Sequence, residues 1–177
     1  RIYTTIDSRM QQYAEEAVLE HLKEIQPKFF KEKRGAPKAP YTWRLTQEQV
    51  DNILDRAMKQ SDRYRIMKKA GISEADIKKA FNTKQEMSVF SYNGLIDTLL
   101  SPMDSIRYYK FYLRAGFMSM DPHTGHVKAY VGGPNFRYFK YDMAKQGKRQ
   151  IGSTVKPFIY TFAIDQLGLT PCTYAPN

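Results

Sequence analysis

The chain has 177 residues, of which 42% are hydrophobic and 14% aromatic, with a formal net charge of +10. This composition supports a packed core and excludes a disordered chain, and the lack of any run of about 18 apolar residues excludes a membrane-spanning helix. Lys and Arg outnumber Asp and Glu eighteen to ten over residues 27–116, against three to five over 1–26 and seven to three over 117–177. A basic middle favours polyanions such as nucleic acid, anionic lipid headgroups or wall polymers, or is simply a solvated lysine-rich surface.

"TTID" at the start is β-prone and predicts a short strand over 2–5. Asp7 then reads as an N-cap, and Met10, Tyr13, Ala14, Ala17, Val18, His21, Leu22 and Ile25 recur at helical spacing, predicting a helix over 8–25 that Pro27 ends. Residues 27–45 hold three prolines, a glycine and many cations, and read as an irregular connection. "LTQEQVDNILDRAMKQSDRYRIMKKAG" predicts one helix from the Thr46 cap to a stop at Gly71. Ser73 and Asp76 are spaced like an acidic capping box for a further helix.

"EMSVFSYNGLIDTLL" predicts a hairpin turning at Asn93-Gly94, a dipeptide suited to a type I′ turn. "SPMDSIRYYKFYLRAG" predicts a helix capped by Ser101 or Asp104 and ended by Gly116, with Met103, Ile106, Tyr109 and Leu113 on one face. "FMSMDPHTGHVKAYVGG" predicts a second hairpin. A last helix is expected from Ser153 to about Leu167, with Pro157 in its first turn and Gly168 as its stop. The expected fold class is α+β: two to four antiparallel strands against the helices near 8–25 and 153–167, beside a mainly helical insertion.

The candidate chemistry lies in "KRQIGSTVKPFIY". Ser153 and Lys156 are three residues apart at a helix start, so their side chains are neighbours on one face. A serine hydroxyl needs a base to take its proton as it attacks. An amine serves only when uncharged, which desolvation and the positive end of a helix dipole favour. The same helix start would stabilise an oxyanion, with the Ser153 N–H as first donor and Gly152 leaving room for a substrate carbonyl. About one S-x-x-K is expected by chance in a chain of this length, so the spacing alone is weak and better fits a surface serine as an ordinary helix cap. His123 and His126 are spaced H-x-x-H with no further ligand at metal-binding spacing, and the single Cys172 forms neither an internal disulfide nor a metal site. No metal site is expected from these residues.

Context distinguishes the two readings. "YTTIDSRMQQYAEEAV", "SPMDSIRYYKFYLRAGF", "MDPHTGHVKAYVGG" and "YDMAKQGKRQIGSTVKPFIY" together resemble class A penicillin-binding proteins, the bifunctional enzymes that polymerise and crosslink bacterial peptidoglycan. The resemblance is good over residues 2–20 and 100–177 and looser over 27–95. It implies that Ser153 is the acylated serine and Lys156 its partner, with no metal or organic cofactor. It implies residues 1–26 and 96–177 as the N-terminal part of a transpeptidase domain, and 27–95 as a basic insertion or linker ending in a hairpin. Two further family motifs, S-x-N and K-S/T-G, would have to follow Lys156, and neither occurs before Asn177. "SYN" at Ser91–Asn93 fits by letters only, preceding the serine and sitting in a turn, and "HTG" at His123–Gly125 is likewise a hairpin turn.

The chain opens on "RIYTTID" and closes on "TYAPN", so both ends are expected to be cuts within a longer protein. By resemblance, that parent carries a glycosyltransferase domain and a cytoplasmic-membrane anchor upstream and works on the periplasmic face. Its partners would be peptidoglycan stem peptides and β-lactams, with no nucleic acid, and the present stretch alone would be inert. Two other readings stand beside this one. One is a related acyl-serine hydrolase, such as a carboxypeptidase or β-lactamase. The other is a non-catalytic binding or scaffolding module of the cell envelope, whose basic insertion docks a partner, anionic lipid or glycan.

Overall fold

The computed structural model describes residue 1, residues 3–170 and residues 172–174. The chain divides into two units, Arg1–Lys145 and Gln146–Asn177. In the first unit, helix α1 (Ser8–Lys33) is followed by α2 (Gln47–Lys59), α3 (Asp62–Lys69) and α4 (Glu74–Asn82). Hairpin β1 (Gln85–Ser91) and β2 (Gly94–Leu100), helix α5 (Pro102–Lys110), and hairpin β3 (Phe117–Met120) and β4 (Val127–Val131) complete it. Each hairpin forms its own two-stranded antiparallel sheet, so the α+β class expected from sequence holds.

Asp7 caps α1 as expected, its carboxylate accepting from Arg9 N (2.9 Å) and Met10 N (3.2 Å). The strand expected over 2–5 does not form at Tyr3, Thr4 and Thr5, and Ile2 lies outside the described residues. In its place Thr5 Oγ1 donates to Val127 O (2.7 Å) and Asp7 N to Lys128 O (2.9 Å). One backbone bond and one side-chain bond tie this segment to β4 but make no ladder.

Pro27 does not end α1, which runs six residues past it. An internal proline costs about 3 kcal/mol, and tertiary contacts on both sides offset it. Gln26, 2% exposed, donates through Nε2 to Phe111 O (2.9 Å) and accepts through Oε1 from Leu113 N (2.8 Å). Phe30, one turn on, packs edge-on against Tyr112 with ring centroids 5.7 Å apart. Two satisfied polar groups, at about 1–3 kcal/mol each, and a half-buried aromatic outweigh the proline. The same clamp corrects a second expectation. α5 stops at Lys110 rather than at Gly116, because Gln26 takes the Phe111 carbonyl and the Leu113 N–H that would have carried the helix on.

The helix expected from Thr46 to Gly71 is broken in two. Thr46 and Gln49 form the capping box of α2. At Ser61 the hydroxyl donates to Met58 O (2.6 Å) and accepts from Tyr64 N (3.3 Å), closing one helix and opening the next. The break brings Tyr64 and Met67 of α3 against a core of Met58, Ile77 and Phe81, which Met103 and Ile106 of α5 also cover. Ser73 caps α4 as expected and donates to Asp76 (2.6 Å).

The first hairpin turns through Tyr92-Asn93, with Ser91 opposite Gly94. A type I′ turn needs positive φ at both central residues, and neither Tyr92 nor Asn93 has it, so the expected turn type is corrected. Positive φ falls instead on Gly94 (115°), while Ser91 Oγ holds the loop by accepting from Asn93 N (3.2 Å). Phe90 anchors β1 in an aromatic cluster with Tyr112 and Phe139, packed round by Phe30, Tyr92, Tyr108, Tyr109 and Tyr138. Three hydroxyls satisfy its backbone: Tyr108 and Tyr112 donate to Phe90 O (2.9 and 2.8 Å), and Tyr109 accepts from Phe90 N (3.0 Å). A third core, Ala14, Ala129 and Val131 with Val18, joins α1 to β4.

Replacing Gln26 by Ala strands the Phe111 carbonyl and the Leu113 N–H. The expected loss is about 3 kcal/mol in chemical denaturation, and Gln26→Leu, which restores the volume but not the bonds, should recover little of it.

Candidate functional site

The second hairpin and the loop after it are the better buttressed of the sequence blocks that drew attention to function. Asp121 closes the turn between β3 and β4, accepting from His123 N (2.8 Å) and Thr124 N (3.2 Å). These N–H bonds hold its carboxyl below the ordinary range, His123 contributing most. Gln11 of α1 clamps Tyr130 of β4 on both backbone groups, accepting from its N (2.7 Å) and donating to its O (2.9 Å). Asp142 then folds the following loop back, accepting from Tyr130 Oη (2.6 Å), Lys145 N (2.9 Å) and Ala144 N (3.0 Å). That loop crosses Gly116 so closely that a Cβ there would lie 2.6 Å from Ala144 N, so only glycine fits. Between α1 and this loop lies a cavity of about 750 Å³, lined by residues of both signs, including Glu15, Glu16, Arg137 and Lys140.

The second unit carries the serine and the lysine. Gly152–Val155 form a 3₁₀ turn that runs directly into helix α6 (Lys156–Leu167), with Pro157 in its first turn and Gly168 (φ 63°) as its stop. The helix start expected at Ser153 is therefore a tighter turn, which places Ser153 in its middle and Lys156 at the first position of α6. Lys156 N donates to Ser153 O, so one turn spans both residues. The turn's first closing bond runs from Thr154 N to Ile151 O (3.1 Å), which leaves the Ser153 N–H ahead of it without an acceptor in the turn. Gly152 has φ 51° and open space where a Cβ would stand. Ser153, Lys156 and Gly152 are all exposed, and no hydrogen bond joins Ser153 Oγ to Lys156 Nζ. Phe158, Ile159, Tyr160, Phe162 and Ile164 of α6 are more than half exposed.

Among the described residues no group of three His, Cys, Asp or Glu is placed to hold a metal ion, and no helix is long and apolar enough to cross a membrane. Cys172 is exposed. The residues that sequence reasoning missed are the polar clamps Gln11 and Gln26. A glutamine on a largely apolar helical stripe is their only sequence signal, and a solvent-facing glutamine gives the same one.

The sequence profile of the penicillin-binding protein middle domain matches residues 36–113, a stretch running from the turns after α1 through α5. Among curated proteins, the chain is 29% identical over 134 residues to penicillin-binding protein 2D of Bacillus subtilis, covering 76% of this chain and 18% of that protein. It is 49% identical over 57 residues to penicillin-binding protein 1A of Vibrio cholerae, covering 32% of this chain and 7% of that one. To penicillin-binding protein 1A of Escherichia coli it is 45% identical over 58 residues, 33% of this chain and 7% of that one. No solved structure matches. The family profile and these relatives agree with the sequence blocks and support a fragment of a penicillin-binding protein. The chain spans less than a fifth of the length of these relatives.

The Tyr130 hydroxyl, more than any other group, holds the Asp142 carboxyl below its ordinary value, with the Lys145 and Ala144 N–H groups adding to the effect. A depressed carboxyl stabilises the fold above the unfolded-state value of about 3.9, and that stability is lost as pH falls through the lower, folded value. Asp142→Asn should therefore flatten the acid side of the stability profile between about pH 5 and pH 2, as read by denaturation at stepped pH.

Proposed function

We propose that this chain is part of a class A penicillin-binding protein and contributes the nucleophile of its D,D-transpeptidase, with Ser153 as the acylated serine and Lys156 as its proton acceptor. The turn that spans Ser153 and Lys156 carries the reading, because it sets a hydroxyl and an amine one helical turn apart beside a free N–H. In the first half-reaction Ser153 Oγ attacks the carbonyl of the penultimate D-alanine of a stem peptide. Lys156 Nζ takes the hydroxyl proton, and the Ser153 N–H receives developing negative charge on the carbonyl oxygen. The C–N bond breaks, terminal D-alanine leaves with a proton, and an acyl-enzyme remains. In the second half an amine of a neighbouring stem attacks the ester, forms the crosslink and frees Ser153. A β-lactam enters the first half and halts at the acyl-enzyme.

In this reading residues 1–26 and 96–177 belong to the transpeptidase domain and 27–95 form its insertion. S-x-N and K-S/T-G motifs elsewhere in the whole enzyme supply further proton transfer, the substrate carboxylate contact and the second oxyanion donor. They also desolvate Lys156, which is exposed here. The whole enzyme acts at the periplasmic face of the cytoplasmic membrane, where stem peptides are found.

The full-length protein containing this chain should be labelled covalently by fluorescent penicillin. Ser153→Ala should abolish the label, with the adduct mapping to the Ser153 peptide by mass spectrometry. Labelling that persists in that variant would overturn the assignment.

A further inference from the structure

Between α1 and α2 the chain makes a run of tight turns: Arg34 N to Lys31 O, Ala36 N to Lys33 O, Ala39 N to Ala36 O, Tyr41 N to Lys38 O and Leu45 N to Thr42 O. Lys38 Nζ closes the last of them by donating to Leu45 O (2.6 Å). This compact loop presents Trp43, the only tryptophan of the chain, at 80% exposure. At this exposure the indole, an apolar body with a polar N–H, is available to a partner. The Arg44 guanidinium lies over one face of the indole, 5.6 Å from the ring centroid.

Six Lys and Arg fall within residues 28–44 against the single Glu32. Lys28 and Lys33 are paired with Glu24 and Glu32, whereas Lys31, Arg34 and Arg44 have no ion-pair partner among the described residues. Beneath the loop is a cleft of about 270 Å³ that brings in two more cations from α5, lining it with Lys38, Tyr41, Arg107 and Lys110. Asp51 also lines it, occupied by Gln47 Nε2 (3.0 Å), and Arg107 spends one N–H on Asp104 (3.0 Å). Lys110 has no ion-pair partner among the described residues, and desolvation together with the charge of Arg114 disfavours its ammonium. An arriving anion offsets the like charge of Arg114.

We infer that the loop over residues 34–45 and the cleft beneath it dock on an anionic phospholipid surface, with a headgroup phosphate held by Lys38, Arg107 and Lys110 and the Trp43 indole seated at headgroup depth. The cleft suits a small headgroup, being below the usual range for larger ligands of about 300–1,000 Å³. Tryptophan beside arginine is a pairing adapted to the bilayer interface, the ring among acyl carbons and the guanidinium on phosphate. A neutral glycan would leave the cations unused, and Arg44 already covers one of the two ring faces on which a sugar would stack. The inference is independent of the Ser153 and Lys156 reading.

Trp43 reports on the site directly. The chain is mixed at low salt with vesicles of phosphatidylcholine, with or without added phosphatidylglycerol. Emission should shift to the blue and the chain co-sediment only when phosphatidylglycerol is present, and added salt should reverse both. Arg107→Gln and Lys110→Gln should each weaken co-sedimentation about fivefold, and Trp43→Ala should weaken it further, with unchanged circular dichroism melts showing that the fold is kept. Equal binding to phosphatidylcholine alone, unshifted emission, or charge variants that bind like the parent would each overturn the inference. It would be overturned equally if inorganic phosphate or isolated glycan strands perturbed Trp43 while vesicles did not.

Discussion

The side chain of Gln26 is the interaction on which the arrangement of the first unit depends. It is buried, and its amide reaches across from α1 to Phe111 O and Leu113 N just past the end of α5. An amide with one donor and one acceptor edge fits two backbone groups of opposite kind, and no aliphatic residue of that size could satisfy them. Through this contact α1 continues past Pro27, Phe30 reaches the aromatic cluster, and the chain leaves α5 early enough to enter β3. The first four residues after α5 thus owe their path to a residue more than eighty positions earlier.

The aromatic cluster extends the same logic to the first hairpin. A two-stranded hairpin is marginal by itself, and β1 is fixed because three tyrosine hydroxyls satisfy both backbone groups of Phe90. Burial disfavours ionisation there. Tyr92 is pushed up to about 12 by desolvation, and Tyr112 is raised, by burial first. Tyr92 and Tyr112 accordingly stay neutral throughout the physiological range. Arg114, 4.4 Å from the centroid of Phe139, covers the cluster with a cation rather than with another apolar group.

The turn that holds Ser153 and Lys156 is organised differently. Gly152 to Lys156 depends on local bonds alone: Thr154 N to Ile151 O, Lys156 N to Ser153 O, and Pro157 where a missing N–H does no harm. Geometry of this kind is encoded within a few residues, which is why the serine, the lysine and their separation could be read directly. In the proposed reading the pair becomes reactive when water is removed from the amine, and that requires partners distant in sequence.

The amino-acid sequence by itself pointed to the family through blocks spread along the chain, and it determined the caps at Asp7, Thr46 and Ser73, both hairpins, and the place of Ser153 and Lys156 on one turn, because each of these local features is written in residues no more than about fifteen positions apart. Only the tertiary structure decided that Pro27 lies inside a helix, that the helix after Thr46 breaks at Ser61, and that α5 stops at Lys110. It also decided that Lys38 shares a cleft with Arg107 and Lys110. Local propensities are worth tenths of a kcal/mol to about three, and a buried amide bridge or an aromatic core outweighs them. Those partners meet only once the chain has folded.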